Sequence, residues 1–370
     1  MKSEMVQPFV EIVQNEQKHL TDISSRGTAI IGYFCTYTPL ELIHSMGFVP
    51  ARITGSSRRT EKAYSLVPSF ICPYMRGALE KGISGEYDFL SGIIQGYTCD
   101  AACGMVNIWE ENIGGRLFYS LPIPYNKSAR AGEFMRSRIL DLVKMLESIG
   151  GSFREDKLKS SLELYAGIRR AVLDMYAMRY RGSLPLSARD FLYVILAGSI
   201  TPPEDYLAMI KKLMSSFDMK AAPRTGGVPV LVSGSVIENT RLFEIIEDCG
   251  GRVVADDLCT GYRNFSPPSG SGRDAVDALI DRYMNRFPCP SRSRVLERLP
   301  HITDLIRTSG AKGMLFLFQK FCTPHLADHP VLVRELNAKG IPSLAIEVEE
   351  SLDAEGQFIT RIESFLEILK

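Results

Sequence analysis

The stretch GIIQGYTCDAACG, residues 92–104, decides how the rest of the chain reads. Its first half is a short apolar run of the kind that forms a strand buried on both faces. The run ends on Cys99, followed at once by Asp100 and by a helical pattern, AACGMVNIWEE. A buried strand has no packing need for a thiol at its end. A cysteine at a strand's carboxyl end, opening onto a loop and a helix, stands where open α/β sheets hold ligands.

Outward from this stretch the same alternation repeats. TAIIGYFC reads as a strand ending at Cys35, TPLELIHSMG as a helix with Pro39 suited to its first turn and Gly47 to its stop, and FVPARI as a second strand. Residues 61–82 read as helical, and RLFYSLPIP as another strand. This βαβ order predicts a parallel sheet with helices on its faces. Residues 128–222 change character to helical patterns with few strand signals. The α/β pattern then resumes with VPVLVSGS, GRVVADD, GMLFLFQKFC and PSLAIEV as strands, and GQFITRIESFLEILK closes the chain as an amphipathic helix. The expected organisation is an α/β lobe over 1–127, a helical connecting segment over 128–222 and a second α/β lobe over 223–370, both lobes Rossmann-like parallel sheets.

Composition narrows the function classes. Lys+Arg and Asp+Glu both number 43, for a net charge of zero, which argues against a broad nucleic-acid footprint. No apolar run approaches the ~20 residues of a membrane helix. The N-terminal segment is too polar for a signal peptide and reads as an amphipathic helix over Ser3–Leu20. A soluble, cytoplasmic protein is expected. In that reducing compartment the eight cysteines are not expected to form disulfides.

Six of the cysteines follow a pattern. Cys35, Cys99 and Cys322 close strand patterns, Cys259 lies just past one, and Cys72 and Cys289 each precede a proline. The spacings are 37 and 27 residues for Cys35, Cys72 and Cys99, and 30 and 33 for Cys259, Cys289 and Cys322. Packing alone makes a free cysteine a small buried hydrophobe, a reading that suits Cys103 and Cys249 as helix-packing residues. It does not explain six thiols at the carboxyl edges of two similar sheets. Zinc accepts thiolates, but only Cys99 and Cys103 have the close spacing of a structural zinc hook. No C-x-x-C pair is present for redox exchange, and no histidine pairs obviously with a nucleophilic cysteine. An iron–sulfur cluster fits best, because it takes soft thiolates from distant loops.

The motifs GYFCTYTPLELIHSMGFVPARITG, SFICPYMRG, GYTCDAACG, RVVADDLCTGYR, RFPCPS, FLFQKFCTPH and QFITRIESFLE resemble, in order and over nearly the whole chain, the 2-hydroxyacyl-CoA dehydratase and benzoyl-CoA reductase family. The resemblance implies an anaerobic enzyme with two Rossmann-like lobes around a [4Fe–4S] cluster in the cleft. It implies a separate ATP-hydrolysing iron–sulfur activator that injects one electron, a ketyl radical on the thioester of an acyl-CoA substrate, and loss of the 2-hydroxyl group. Cys72, Cys99 and Cys322 match the family's cluster ligands. Glu41, in PLELI, is the candidate catalytic carboxylate, with a role in binding substrate or ordering the cleft set against a purely helix-turn role. Asp100 reads as a capping carboxylate rather than a catalytic one, and Trp109 as core. Members work as pairs, so a homologous subunit or a second copy is an expected partner. The further cysteines Cys35, Cys259 and Cys289 complete a 3+3 set like that of the family's double-cubane (8Fe–9S) reductases, so a single cubane and a double cubane both stand as expectations. A non-catalytic electron-transfer subunit, and a cluster-free protein with buried cysteines, are the remaining alternatives.

Overall fold

The computed structural model describes residues 2–55, 60–217, 225–349 and 355–370. Two four-stranded sheets form its centre. The first contains β1 (Ile30–Tyr33), β2 (Val49–Arg52), β3 (Leu90–Gly96) and β4 (Leu117–Leu121) in the order β2-β1-β3-β4. The second contains β5 (Val228–Gly234), β6 (Gly251–Asp257), β7 (Gly313–Gln319) and β8 (Ser343–Val348) in the order β6-β5-β7-β8. Every pairing is parallel. The central strands are continuous apolar runs because helices cover both faces, and Ile31, Ile93, Leu231, Val232 and Leu315 are fully buried.

The two orders are the same. In each lobe the chain leaves its first strand toward one side and returns to pair on the other. The switch points therefore lie between β1 and β3 and between β5 and β7, and open sheets of this kind bind ligands in the crevice beyond those strand ends. The backbone closes tightly there. A Cβ on Gly96 would stand 2.7 Å from the Tyr37 carbonyl oxygen, and one on Gly234 would collide with the Leu317 carbonyl oxygen.

The helical stretch consists of helices Ala129–Ser148, Glu155–Tyr180, Ala188–Ala197 and Pro203–Ser215. It supplies a face to each lobe. Met135, Ile139, Leu142 and Leu146 pack with Ile31, Ile94, Leu117 and Leu121 of the first sheet. Ala188, Leu192 and Leu196 pack with Val230, Val232 and Leu315 of the second. The chain also crosses back, since Val276, Leu279 and Ile280 of helix Ala275–Met284 join the first lobe's core. The expected boundary at 222/223 lies outside the described residues.

Three expectations change in detail. The first helix is two, Lys2–Gln14 and Glu16–Ser25, broken at Asn15, whose side-chain amide donates to the Glu11 carbonyl at 2.9 Å. Residues 61–82 are not one helix: a 3₁₀ turn, Lys62–Ser65, is followed by helix Pro73–Ile83. A residue before proline is pushed out of the helical region, and Cys72 accordingly sits at φ −58°, ψ 145° as the N-cap. The stretch HPVLVRELNAKG reads in the sequence as a helix from His329, and the helix begins earlier, at Thr323.

Candidate functional site

Cys72, Cys99 and Cys322 share one local structure. Each is the N-cap residue of a helix: Pro73–Ile83, Asp100–Asn112 and Thr323–Ala338. None closes a capping hydrogen bond through its sulfur, yet the amide three residues on (Met75, Ala102 and His325) favours the thiolate in each case. A helix N-terminus carries partial positive charge and stabilises an anion. The thiols remain protonated at neutral pH, because burial outweighs the amides. It pushes Cys322 up to about 12, and Cys72 and Cys99 upward as well.

The three lie within electrostatic reach of one another. Cys72 and Cys322 both raise the Cys99 thiol, and Cys72 raises Cys322. Two lobes thus bring helix N-termini to one seam. Among the described residues, no group of three or more His, Cys, Asp or Glu side chains closes to metal-ligating geometry. Donor type and placement suit a thiolate-bound cluster, and binding would displace protons from these thiols.

The other three are built differently. Cys35 lies two residues past β1 and Cys259 two past β6, neither as a helix cap. Cys289 is buried against the first lobe's apolar cluster, and burial first, then Cys259, pushes it up to about 11. The Cys259 sulfur accepts a hydrogen bond from Arg263 Nη2 at 3.2 Å. The repeat suggested by cysteine spacing therefore holds for one pair in strict topology. Cys99 follows β3 and Cys322 follows β7, the equivalent strands, whereas Cys35 follows a central strand and Cys259 an edge strand.

Side chains outside the sequence-based set fasten this edge. Gln95, fully buried in β3, accepts from the Phe34 and Cys35 amides at 3.1 and 2.9 Å and donates to the Gly96 carbonyl at 2.8 Å. Gln319, at the end of β7, donates to the Val236 carbonyl at 3.0 Å. Each glutamine spans its lobe's switch crevice, from the third strand to the loop after the first. In the second lobe, Arg263 also contacts Asp257 at 3.0 Å and His325 Nε2 at 3.3 Å, while His325 Nδ1 lies 3.5 Å from the Cys322 sulfur. Burial first, then the neighbouring guanidinium groups of Arg263 and Arg298, holds His325 well below its ordinary range, so it is neutral. The C-x-x-H spacing of Cys322 and His325 was a usable sequence signal; the glutamines gave none.

Glu41 is fully buried in helix Leu40–Ser45. One oxygen accepts from Arg169 and the other from the Tyr283 hydroxyl at 2.7 Å. Burial works against its ionisation, but the Arg169 and Arg282 guanidinium groups hold its carboxyl below the usual range. Both oxygens tie the first lobe to helices of the following segments. Asp100 is the first residue of its helix and exposed, Cys103 is buried, Cys249 packs against the second lobe's core, and Trp109 is core.

Two cavities flank the seam. A cleft of about 610 Å³ between the lobes is bordered by Pro73, Tyr74, Thr54 and Gln319. Its Glu238 accepts from the Gly55 amide at 2.8 Å through Oε2 while Oε1 has no hydrogen-bond partner among the described residues, and burial pushes this carboxyl up to about 7. A second cavity of about 390 Å³ opens beside Tyr37, Arg292 and Pro288. Aromatic side chains stand exposed just ahead of the three N-cap cysteines: Phe70 (64%), Tyr97 (46%) and Phe321 (39%). Among the described residues, no helix is long and apolar enough to cross a membrane.

Fold and site define a two-lobed α/β protein that presents helix-capping thiols from both parallel sheets at a common seam. Residues 35–369 match the family model described as 2-hydroxyglutaryl-CoA dehydratase, D-component, and the chain belongs to that family. It is 26% identical to the (R)-phenyllactyl-CoA dehydratase beta subunit of Clostridium sporogenes, over 98% of this chain and 97% of that one. It is 26% identical to the lactoyl-CoA dehydratase subunit beta of Anaerotignum propionicum, over 97% of each. It is 24% identical to a subunit of the benzoyl-CoA reductase of Thauera aromatica, over 87% of this chain and 86% of that one.

Proposed function

We propose that this chain is an iron–sulfur subunit of a 2-hydroxyacyl-CoA dehydratase, in which Cys72, Cys99 and Cys322 hold a [4Fe–4S] cluster. The observation that carries this reading is the common N-cap placement of the three thiols, which comes from both lobes and which Cys35, Cys259 and Cys289 lack. When bound, such a cluster supplies one-electron chemistry and, with three protein ligands, an iron open to a substrate oxygen. The helix N-terminal amides favour the ligating thiolates. Gln95 and Gln319 hold the loops beyond β1 and β5, and Arg263 with neutral His325 fixes the shell around Cys322. Glu41 takes the ordering role, because both its oxygens are engaged by protein donors.

The reaction in this reading is loss of water from a 2-hydroxyacyl-CoA through a substrate ketyl radical, with the electron delivered by a separate ATP-hydrolysing iron–sulfur activator. Relatives named as subunits support a partner chain. Phe70, Tyr97 and Phe321 supply apolar surface for it to cover. The test is ATP-dependent dehydration of 2-hydroxyacyl-CoA esters by the anaerobically purified complex with activator supplied. Turnover lost together with iron in Cys99→Ala is expected, whereas full iron retained in Cys72→Ala, Cys99→Ala and Cys322→Ala alike would refute the ligand set.

A second reading, a double-cubane reductase, is favoured by one observation. Cys289 lies in the field of Cys259 and Cys35, so all six thiols are electrostatically linked. It requires about twice the iron of a single cubane, and that iron must depend on Cys259 and Cys289.

A further inference from the structure

The two cavities at the seam differ in charge. The described lining of the larger cleft carries the carboxylates Glu16, Glu86, Glu238 and Glu349 against the ammonium groups of Lys18 and Lys81. The lining of the smaller one carries Lys127, Arg286, Arg292 and Arg294 against Glu297 alone. In a chain whose formal charge is zero, that concentration of cations is local. A polyphosphate is repelled by the first cavity and attracted by the second.

The smaller cavity also has the parts of a preformed nucleotide site. Arg286 and Arg292 are already fixed by backbone carbonyls, Arg286 by Thr36, Arg263 and Asn264, and Arg292 by Ile123 and Pro124. The Arg292 guanidinium in turn lies over the Tyr125 ring, 5.5 Å from its centroid, and holds that ring at the mouth with 59% of its surface exposed. An aromatic ring presented this way is a stacking platform for a base. Arg294 is the N-cap of the fifteen-residue helix Val295–Ser309 and makes no side-chain capping bond, and it borders the cavity together with Glu297 of the first turn. A helix N-terminus flanked by cations is a phosphate site. Lys127 and Arg294 are exposed and complete the rim. The inner wall is Tyr37, which lies in the field of Cys289 and Cys35.

We propose that this cavity binds the adenine nucleotide end of a coenzyme A ester, with Tyr125 stacking the base and Lys127, Arg294 and the helix N-terminus taking the phosphates. The proposal rests on the reading that the substrate is a CoA thioester. It adds the direction of entry, with charged tail at the rim and acyl end toward the thiols. The shared chemistry is that of any adenine nucleotide, so a free nucleotide is the competing source.

The test is calorimetric binding of CoA, ADP and inorganic phosphate to the anaerobically purified complex, with Arg294→Glu, Lys127→Glu and Tyr125→Ala, all at exposed positions. The expected result is CoA binding weakened about tenfold or more by each variant, since a lost charge-assisted contact or stacked base is worth about 1.5–3 kcal/mol. Inorganic phosphate binding should respond to Arg294→Glu and Lys127→Glu but not to Tyr125→Ala. CoA binding unchanged in all three variants would place the subsite elsewhere while leaving the CoA-ester reading intact. ADP bound in a Tyr125-dependent way with no binding of CoA would make the cavity a free-nucleotide site and overturn the proposal. No binding of CoA or ADP by the parent would overturn it as well, and turnover of 2-hydroxyacyl-CoA then decides the functional reading separately.

Discussion

The two lobes have the same strand order, yet their carboxyl edges are equipped differently. The first contributes two helix-capping thiols, Cys72 and Cys99, and the second contributes one, Cys322. The first holds its switch crevice with a fully buried glutamine making three hydrogen bonds; the second uses one bond from Gln319 and adds an Arg263–His325 pair against Cys322. A repeated fold thus carries an asymmetric edge. Cysteine spacing alone suggests equal halves, but local backbone separates a thiol at a helix N-terminus from one in a loop or an apolar cluster. In the proposed reading, that separation is what sets Cys72, Cys99 and Cys322 apart as cluster ligands from Cys35, Cys259 and Cys289.

The largest effect expected from this distinction is loss of the cluster. Cys72→Ala, Cys99→Ala and Cys322→Ala should each abolish iron–sulfur absorption after anaerobic purification, because a cubane left with two thiolates is labile. The effect should be equal across the two lobes. If Cys322→Ala alone retained its iron, the second lobe would be outside the site.

The next effect lies at the seam. Glu238 reaches from the second lobe to the Gly55 amide of the first, and its carboxyl is raised to about 7 from an ordinary value of 4.5. Between those values the folded chain binds a proton that the unfolded chain has lost. This contribution is fully present below about pH 4.5 and falls away as pH rises through 7. Glu238→Gln should remove that slope, so the parent loses up to about 3 kcal/mol relative to the variant between pH 4.5 and 8, measured by denaturant unfolding at each pH. Parallel stability curves for the two proteins would show that Glu238 is solvated.

The glutamine braces give a smaller, graded test. Gln95→Leu leaves the buried Phe34 and Cys35 amides without their acceptor and should cost about 2–4 kcal/mol, against about 1 kcal/mol for Gln319→Leu, which loses one bond to a carbonyl. Equal losses in urea unfolding would erase the asymmetry between the lobes.

The smallest effect is expected from the remaining thiols. Cys259→Ser and Cys289→Ser should leave iron unchanged and alter stability by about 1 kcal/mol. Iron halved by either would move the assignment to the double cubane.

Much of this was legible in the sequence. The strands read as apolar runs because both faces are covered, and the cysteines stood out because a thiol at a strand end has no packing reason. Residues 61–82 read as helical, although Pro73 forces Cys72 out of helical geometry and makes it a cap. Gln95 gave no signal as a brace, since its partners lie in a loop 60 residues away. Glu41 was legible as a distinctive carboxylate but not as a buried one, because Arg169 and Tyr283 meet it only through the crossing helices. The basic cavity was hidden for the same reason, its cations being scattered from Lys127 to Arg294 in a chain of zero net charge.

The most direct test of the central assignment is a count of iron and acid-labile sulfide per chain in the anaerobically purified protein, alongside low-temperature electron paramagnetic resonance of the reduced sample. Cluster binding by Cys72, Cys99 and Cys322 predicts about four irons and about four sulfides, with the signal of a single cubane that disappears in Cys99→Ala. A protein that purifies without iron and cannot be reconstituted, or one that carries about eight irons lost on Cys289→Ser, would contradict it.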